Sequence, residues 1–321
     1  MKKIVSVFGQ DNAINRALNA RAKEYAVQKG LDYVWTPLTP YTQEAAIAAL
    51  READAGIIDV EPYDRRIFSQ ICERNKLLVR FGVGFDAVNL ADATEYGVKI
   101  ARTQGANAQG VAEYALLLMM ALRRKLMAGD AGVHRGDWSK EVGHETAGAT
   151  VGILGFGAIG QTLARLLKGF GCKILAYDTY HADEAAQALG VEFADIDTIF
   201  TQCDAISVHL ALNEHTRGIV NEDKLRKMKP DAVIVNTSRG PVIDDAAMKK
   251  ALREHWIAGA ALDVFSQEPL PVEDDYLKLD NLIVSPHAAS STVESLWQIY
   301  AAAIDIAANF LEGKEDRRML N

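Results

Sequence analysis

The chain has only three cysteines in 321 residues, Cys72, Cys172 and Cys203, and none is spaced as a metal ligand pair or a redox motif. That excludes a disulfide framework and a cysteine-built metal centre, and implies free buried thiols in a reducing compartment. Long apolar runs are also missing. No segment reaches the roughly 20 apolar residues of a membrane span, and the N-terminal run Ile4–Phe8 is too short for a secretory signal. Cytoplasmic residence is the expectation.

Basic runs are scarce as well. The formal net charge is −8, which argues against nucleic-acid or anionic-membrane binding. The densest basic cluster, Arg123-Arg124-Lys125, lies between Leu122 and Leu126 and is expected to be the solvated end of a helix. There is no internal repeat, low-complexity tract or Ser/Pro linker. What remains, 49% apolar and 24% charged residues, is the composition of a globular protein with length for two domains.

The most informative stretch is Val151-Gly152-Ile153-Leu154-Gly155-Phe156-Gly157-Ala158-Ile159-Gly160. An apolar strand breaks into Gly-x-Gly-x-x-Gly and resumes as a helix. Gly155 allows a tight turn, Gly157 lets a pyrophosphate approach the backbone, and Gly160 lets helix and strand pack closely. The amides at Gly157, Ala158, Ile159 and Gly160 are therefore candidates for holding a dinucleotide phosphate, helped by the helix dipole. Asp178 ends the next apolar run at the spacing of a carboxylate that binds the adenosine ribose hydroxyls. An acid there, with no arginine in Thr179-Tyr180-His181, favours NAD over NADP.

Strand-like and helical runs alternate along the whole chain. Residues 2–8, 33–36, 55–60, 76–81 and 97–101 read as strands, with helices over 12–29, 43–53 and 65–75. A long buried helix is expected over 108–127, and a closing helix over 291–311. After the glycine loop, strand-like runs end at His209, Asn236, Asp263 and Ser285. The fold class is α/β: parallel sheets covered on both faces.

Ligands in such sheets gather at the carboxyl ends of the strands. Arg239, within Asn236-Thr237-Ser238-Arg239-Gly240, can clamp a carboxylate in bidentate fashion and polarise a carbonyl. His287 can exchange a proton with the carbonyl oxygen. Glu268, bonded to the far ring nitrogen, would set the tautomer and raise the imidazole pKa. No metal is expected.

These motifs, together with Gly82-Val83-Gly84-Phe85-Asp86, Gly105-Ala106-Asn107 and Val111-Ala112-Glu113, make nearly the whole chain resemble the D-isomer-specific 2-hydroxyacid dehydrogenase family. The resemblance implies two doubly wound parallel-sheet domains, with an NAD-binding Rossmann domain (105–287) inserted into a flavodoxin-like substrate domain (1–104 and 288–321). It implies Arg239, Glu268 and His287 as the catalytic three, Asp263 beside the nicotinamide carboxamide, and His209, Thr237 and Ser238 as further residues on the cofactor side. The amides of Val83 and Gly84 would meet the substrate carboxylate, and the protein would form a homodimer through the cofactor domain. Ala158 stands where the family often has arginine, which removes one phosphate contact.

Substrate identity is less constrained. The region around Arg80 and Gly82–Asp86 is similar to phosphoglycerate dehydrogenases, yet Asp59 stands where those often carry a phosphate-binding arginine. A carboxylate repels a phosphate dianion, and the chain stops at Asn321 with no length for a regulatory domain. The expectation is a small unphosphorylated 2-keto acid such as glyoxylate or hydroxypyruvate, with phosphoglycerate second. Glu268 speaks against a formate dehydrogenase, which resembles the family with glutamine in that place. An NAD-sensing protein without turnover is the non-enzymatic alternative.

Overall fold

The computed structural model describes residues 1–321. The chain divides into two compact units, Met1–Asn107 with Thr292–Asn321, and Ala108–Ser291. Both crossings lie a few residues later than the sequence suggested. The reason is hydrogen bonding: Thr103 N and Ala106 N close onto Gly82 O and Thr103 O, keeping that loop in the first unit. The amides of Ala288 and Ala289 are held by Asp263, keeping the His287 loop in the second.

The first unit contains β1 (Lys2–Ser6), β2 (Leu31–Trp35), β3 (Ala55–Ile58), β4 (Leu77–Arg80) and β5 (Lys99–Arg102). They form one sheet in the order β2-β1-β3-β4-β5, and every pairing is parallel. Alternate residues feed opposite faces. Ile4, Leu77 and Val79 pack with the helices Ala13–Gln28 and Val293–Leu311, while Val5 and Leu78 pack with Gln43–Leu50 and Arg65–Ile71. Burial on both faces explains why these strands read as unbroken apolar runs.

The second unit contains β6 (Thr150–Leu154), β7 (Lys173–Tyr177), β8 (Val191–Phe193), β9 (Ala205–Val208), β10 (Val233–Asn236), β11 (Gly259–Leu262) and β12 (Leu282–Val284). Their order is β12-β11-β10-β9-β6-β7-β8, again all parallel. The chain runs outward from β6 to β8, then jumps back to β9 on the other side of β6. That reversal is the switch point at which open α/β sheets bind ligands.

Three expectations change in detail. The long helix over 108–127 is two helices, Ala108–Arg123 and Leu126–His134, parted where Lys125 takes a left-handed conformation with φ 51°. Arg123 is not solvated: it is 7% exposed and donates to the carbonyls of Asp204 and Glu145, which face the helix end. Of the three free thiols only Cys203 is fully buried. No helix is long and apolar enough to cross a membrane.

Candidate active site

The glycine loop is shaped by close approaches. At Gly155 φ is +99°, and a Cβ there would lie 2.7 Å from the carbonyl of His209, at the end of β9. A Cβ on Gly160 would lie 2.2 Å from Gly155 O. Neither position can take a side chain without parting strand, loop and helix. Gly157 is different: a Cβ would meet nothing within 4 Å. Open space therefore lies over the backbone where the helix Ala158–Lys168 begins, and no side chain caps that helix. Its first amides face outward, as phosphate binding requires.

The surroundings fit a dinucleotide. Asp178, half-buried after β7, receives the Phe156 amide at 2.7 Å and the Tyr180 amide at 3.2 Å, which fixes the carboxylate beside the loop. At the ends of β9 and β10, His209 Nδ1 and Thr237 Oγ1 are enclosed without a protein partner. Buried polar atoms are nearly always satisfied, so two orphans beside an open phosphate cradle mark places for groups the protein itself does not supply. Ala158 and Ile159 lie at the helix start, with Ala158 exposed.

Burial pushes the His209 imidazole down to about 4, while its Nε2 lies 2.8 Å from Ser207 Oγ. In the unfolded chain the imidazole takes its proton near pH 6.5. Between those values the unfolded state binds a proton that the folded state refuses. Folding stability is thus full above about pH 6.5 and falls as the pH drops toward 4, by on the order of 2–3 kcal/mol. Denaturant melts at pH 7 and pH 4.5 should show the native protein losing more than His209→Asn; equal losses would remove His209 as the cause.

The second cluster is built from the ends of β10, β11 and β12. After β10, the Asn236 side chain accepts from Ser238 N and Ser238 Oγ and donates to Arg239 O, so one buried amide shapes the turn presenting Arg239. Gly240 follows, and a Cβ there would lie 2.0 Å from the carbonyl carbon of Phe265. The Arg239 turn is therefore pressed against the loop after β11.

That loop carries Glu268, whose Oε1 accepts from Phe265 N at 2.9 Å and whose Oε2 lies 2.8 Å from His287 Nδ1. Burial pushes the Glu268 carboxyl upward, but the hydrogen bonds from His287 and the Phe265 amide, with the charges of His287 and Arg239, outweigh it. Its pKa lies below the ordinary value. The two side chains are 39% and 37% exposed, so the pair is open to an incoming molecule.

Asp263 is 0% exposed. Its carboxylate accepts from Ser285 Oγ at 2.6 Å and from the amides of Ala288 and Ala289 at 2.8 and 2.9 Å. His287 itself has φ +53°, an uncommon conformation for a residue with a side chain, and its amide donates to Asp263 O. The carboxylate expected beside a nicotinamide thus also ties down the turn that carries His287.

In the first unit, Gly82 has φ +125° and bonds through its amide to Thr103 Oγ1. The amides of Val83 and Gly84 follow directly in the same loop, which is tied to Thr103 through the amide and carbonyl of Gly82. No group of three or more His, Cys, Asp or Glu side chains is placed to hold a metal ion. Spacing alone does not single out Ser207 as the partner of His209, Ser285 as that of Asp263, or the contact at Gly240; the glycine directly after Arg239 is the one local signal among them.

Comparison with known proteins gives the family. Residues 116–289 match the family model described as D-isomer specific 2-hydroxyacid dehydrogenase, NAD binding domain. A glyoxylate reductase of Korarchaeum cryptofilum is 34% identical over 295 residues, spanning 90% of this chain and 89% of that protein. A D-3-phosphoglycerate dehydrogenase of Archaeoglobus fulgidus is 34% identical over 254 residues, 78% of this chain but 48% of its own. The apo-structure of D-lactate dehydrogenase from Escherichia coli superposes with a TM-score of 0.84 at 30% identity, covering 100% of both chains. The chain belongs to the D-isomer-specific 2-hydroxyacid dehydrogenase family, as an NAD-binding oxidoreductase acting on the CH–OH group of donors.

Proposed function

We propose that the protein interconverts NADH plus a small unphosphorylated 2-keto acid, of the class of glyoxylate and hydroxypyruvate, with NAD and the D-2-hydroxy acid. The observation that carries this is the His287–Glu268 pair at 2.8 Å, with Glu268 held anionic. Bound nicotinamide supplies the hydride. Glu268 accepts a hydrogen bond from His287 Nδ1–H, leaving Nε2 to give a proton to the carbonyl oxygen in reduction and to remove it in oxidation. Arg239 pairs with the substrate carboxylate and polarises the carbonyl through its fixed charge.

Gly157, Ala158, Ile159 and Gly160 would hold the pyrophosphate through main-chain amides, and Asp178 the adenosine ribose. Thr237, Ser238, His209 and Asp263 would lie toward the nicotinamide end. The first unit is the proposed substrate domain, and the amides of Val83 and Gly84 are its proposed contacts to the substrate carboxylate.

Phosphoglycerate chemistry is the second reading, favoured by the Archaeoglobus relative. Against it stands the end of β3. Burial and then the charge of Asp59 push the Glu61 carboxyl above its ordinary value, with Arg80 acting the other way, and the Asp59 carboxylate would repel a phosphate dianion. The test is NADH oxidation with glyoxylate, hydroxypyruvate, pyruvate and phosphohydroxypyruvate. Preference for an unphosphorylated acid is expected; preference for phosphohydroxypyruvate would promote the second reading. Tight NADH binding without turnover on any acid would favour an NAD sensor.

A homodimer through the second unit is part of the proposal. Leu117, Leu126, Met127, Val133, Trp138 and Val142 are all at least half exposed along 117–142, an apolar stretch of the kind that partners cover. Light scattering should give twice the 35.0 kDa chain mass; the single-chain mass would sink it.

A further inference from the structure

The loop Gly82–Phe85 follows β4, and β5 ends beside it, with Arg80 and Arg102 as direct register partners at the two strand ends. Thr103 holds the first residue of the loop: its hydroxyl accepts from Gly82 N at 2.8 Å and its amide donates to Gly82 O at 3.0 Å. Arg102 reaches one residue further. Its guanidinium lies 3.4 Å from the carbonyl oxygen of Val83 and 3.3 Å from Gln104 Oε1, and its central carbon stands 5.3 Å from the centre of the Phe85 ring. The strand end that carries it is fixed from the far side, because the Arg102 amide donates to Arg318 O and the Arg318 side chain is doubly bonded to Asp316.

Those partners are uncommon for a half-buried cation. They are a peptide carbonyl, a neutral amide and a ring, with no carboxylate among them, and burial holds the Arg102 pKa below its ordinary value. A charge taken out of water without a counter-ion is costly, so the place favours an anion nearby.

We propose that Arg102 is a positioning residue for the substrate carboxylate: it holds the Val83–Gly84 peptide by its oxygen, so that the Gly84 N–H is presented on the opposite side with a positive charge behind it. The proposal rests on the reading of Val83 and Gly84 given above and deepens it. In a trans peptide the C=O and N–H bonds point in opposite directions, so a donor fixed on the oxygen also fixes where the hydrogen points. The tie matters here because Val83 stands between two glycines, the residues with the most backbone freedom to lose. A cation on the oxygen polarises the peptide and strengthens its N–H as a donor to an anion. The planar guanidinium spans Val83 O and Gln104 together, which the single ammonium of a lysine does not.

The test compares Arg102→Met, Arg102→Lys and Thr103→Val with the native protein, each checked for folding by a thermal melt; Arg102→Gln takes the place of the methionine variant if that one does not fold. KM and kcat are measured with NADH and the unphosphorylated keto acid that the native protein turns over best. Fluorescence titration gives Kd for NADH, and for oxamate, an unreactive carboxylate shaped like a keto acid, on the NADH complex. Arg102→Met should raise KM and the oxamate Kd by about tenfold while kcat and the NADH Kd stay nearly unchanged, the pattern of lost uniform binding; Arg102→Lys should recover part of the loss. A lower melting temperature with KM and oxamate Kd unmoved would make Arg102 merely structural and overturn the proposal. So would an NADH Kd that rises as far as that of oxamate. A rise in KM for Thr103→Val alone keeps the loop as the carboxylate site and removes Arg102 from it. Unmoved constants in all the variants overturn the loop reading and this one together, and a native protein that turns over no keto acid overturns the dehydrogenase reading with both.

Discussion

His287→Gln lowers turnover by roughly 10²- to 10⁴-fold, the usual contribution of a positioned general acid, and leaves NADH affinity nearly unchanged. The argument is geometric. Nδ1 is committed to Glu268, so Nε2 is the ring atom free to exchange a proton, and glutamine offers an amide that does not titrate. His287 follows β12, four strands from β6 and its glycine loop, where the phosphates are expected to bind, so phosphate binding has no reason to move. Stopped-flow reduction and NADH fluorescence titration separate the two quantities. Native-like turnover in the variant would remove His287 from the chemistry, and loss of NADH binding would make it a cofactor residue.

Gly240→Ala is the second large effect, and it acts without touching a reacting group. The added carbon would lie 2.0 Å from the Phe265 carbonyl carbon and 2.4 Å from both Phe265 O and Ser266 N. All three are main chain, so nothing can swing aside and the two loops must part by more than 1 Å, since non-bonded carbons settle at about 3.5–4.0 Å. Overpacking of this kind costs about 1–3 kcal/mol of stability. The same displacement moves Arg239 away from Glu268, and a misplacement of about 1 Å can cost about 10²-fold in rate. Gly129→Ala is the control: it lies within the helix Leu126–His134 with nothing within 4 Å of the new carbon, and should be neutral or slightly stabilising. Thermal melts and kcat for the two variants decide the matter. A Gly240→Ala protein as stable and active as Gly129→Ala would show that the loop contact does not hold the cluster.

Much of the fold was legible because both sheets are buried on two faces. Such strands must be apolar throughout, and their ends must be polar where the chain turns back into a helix. That is why β6, β9, β10 and β11 stand out by eye, and why the residues after them were the natural candidates. The short edge strand β8 did not stand out, because Val191–Phe193 pairs on one side only and places Glu192 in solvent. The break at Lys125 was missed because no glycine or proline announces it.

The site divides along the same line. Local sequence determined the glycine loop, the acid after β7 and the chemical types available at each strand end, since these depend on spacing within a few residues. Tertiary structure decided which of those groups meet. Glu268 and His287 are 19 residues apart and reach 2.8 Å because Gly240 lets one loop lie against another and Asp263 ties down the turn between them and the sheet. It also decided what no spacing can encode: the enclosure that drives His209 down to about 4, and the pairing of β4 with β5 that brings Arg102 to the carbonyl of Val83. Both arise from non-local packing, in which residues far apart in the chain are brought together, so neither could be read from any one stretch of it.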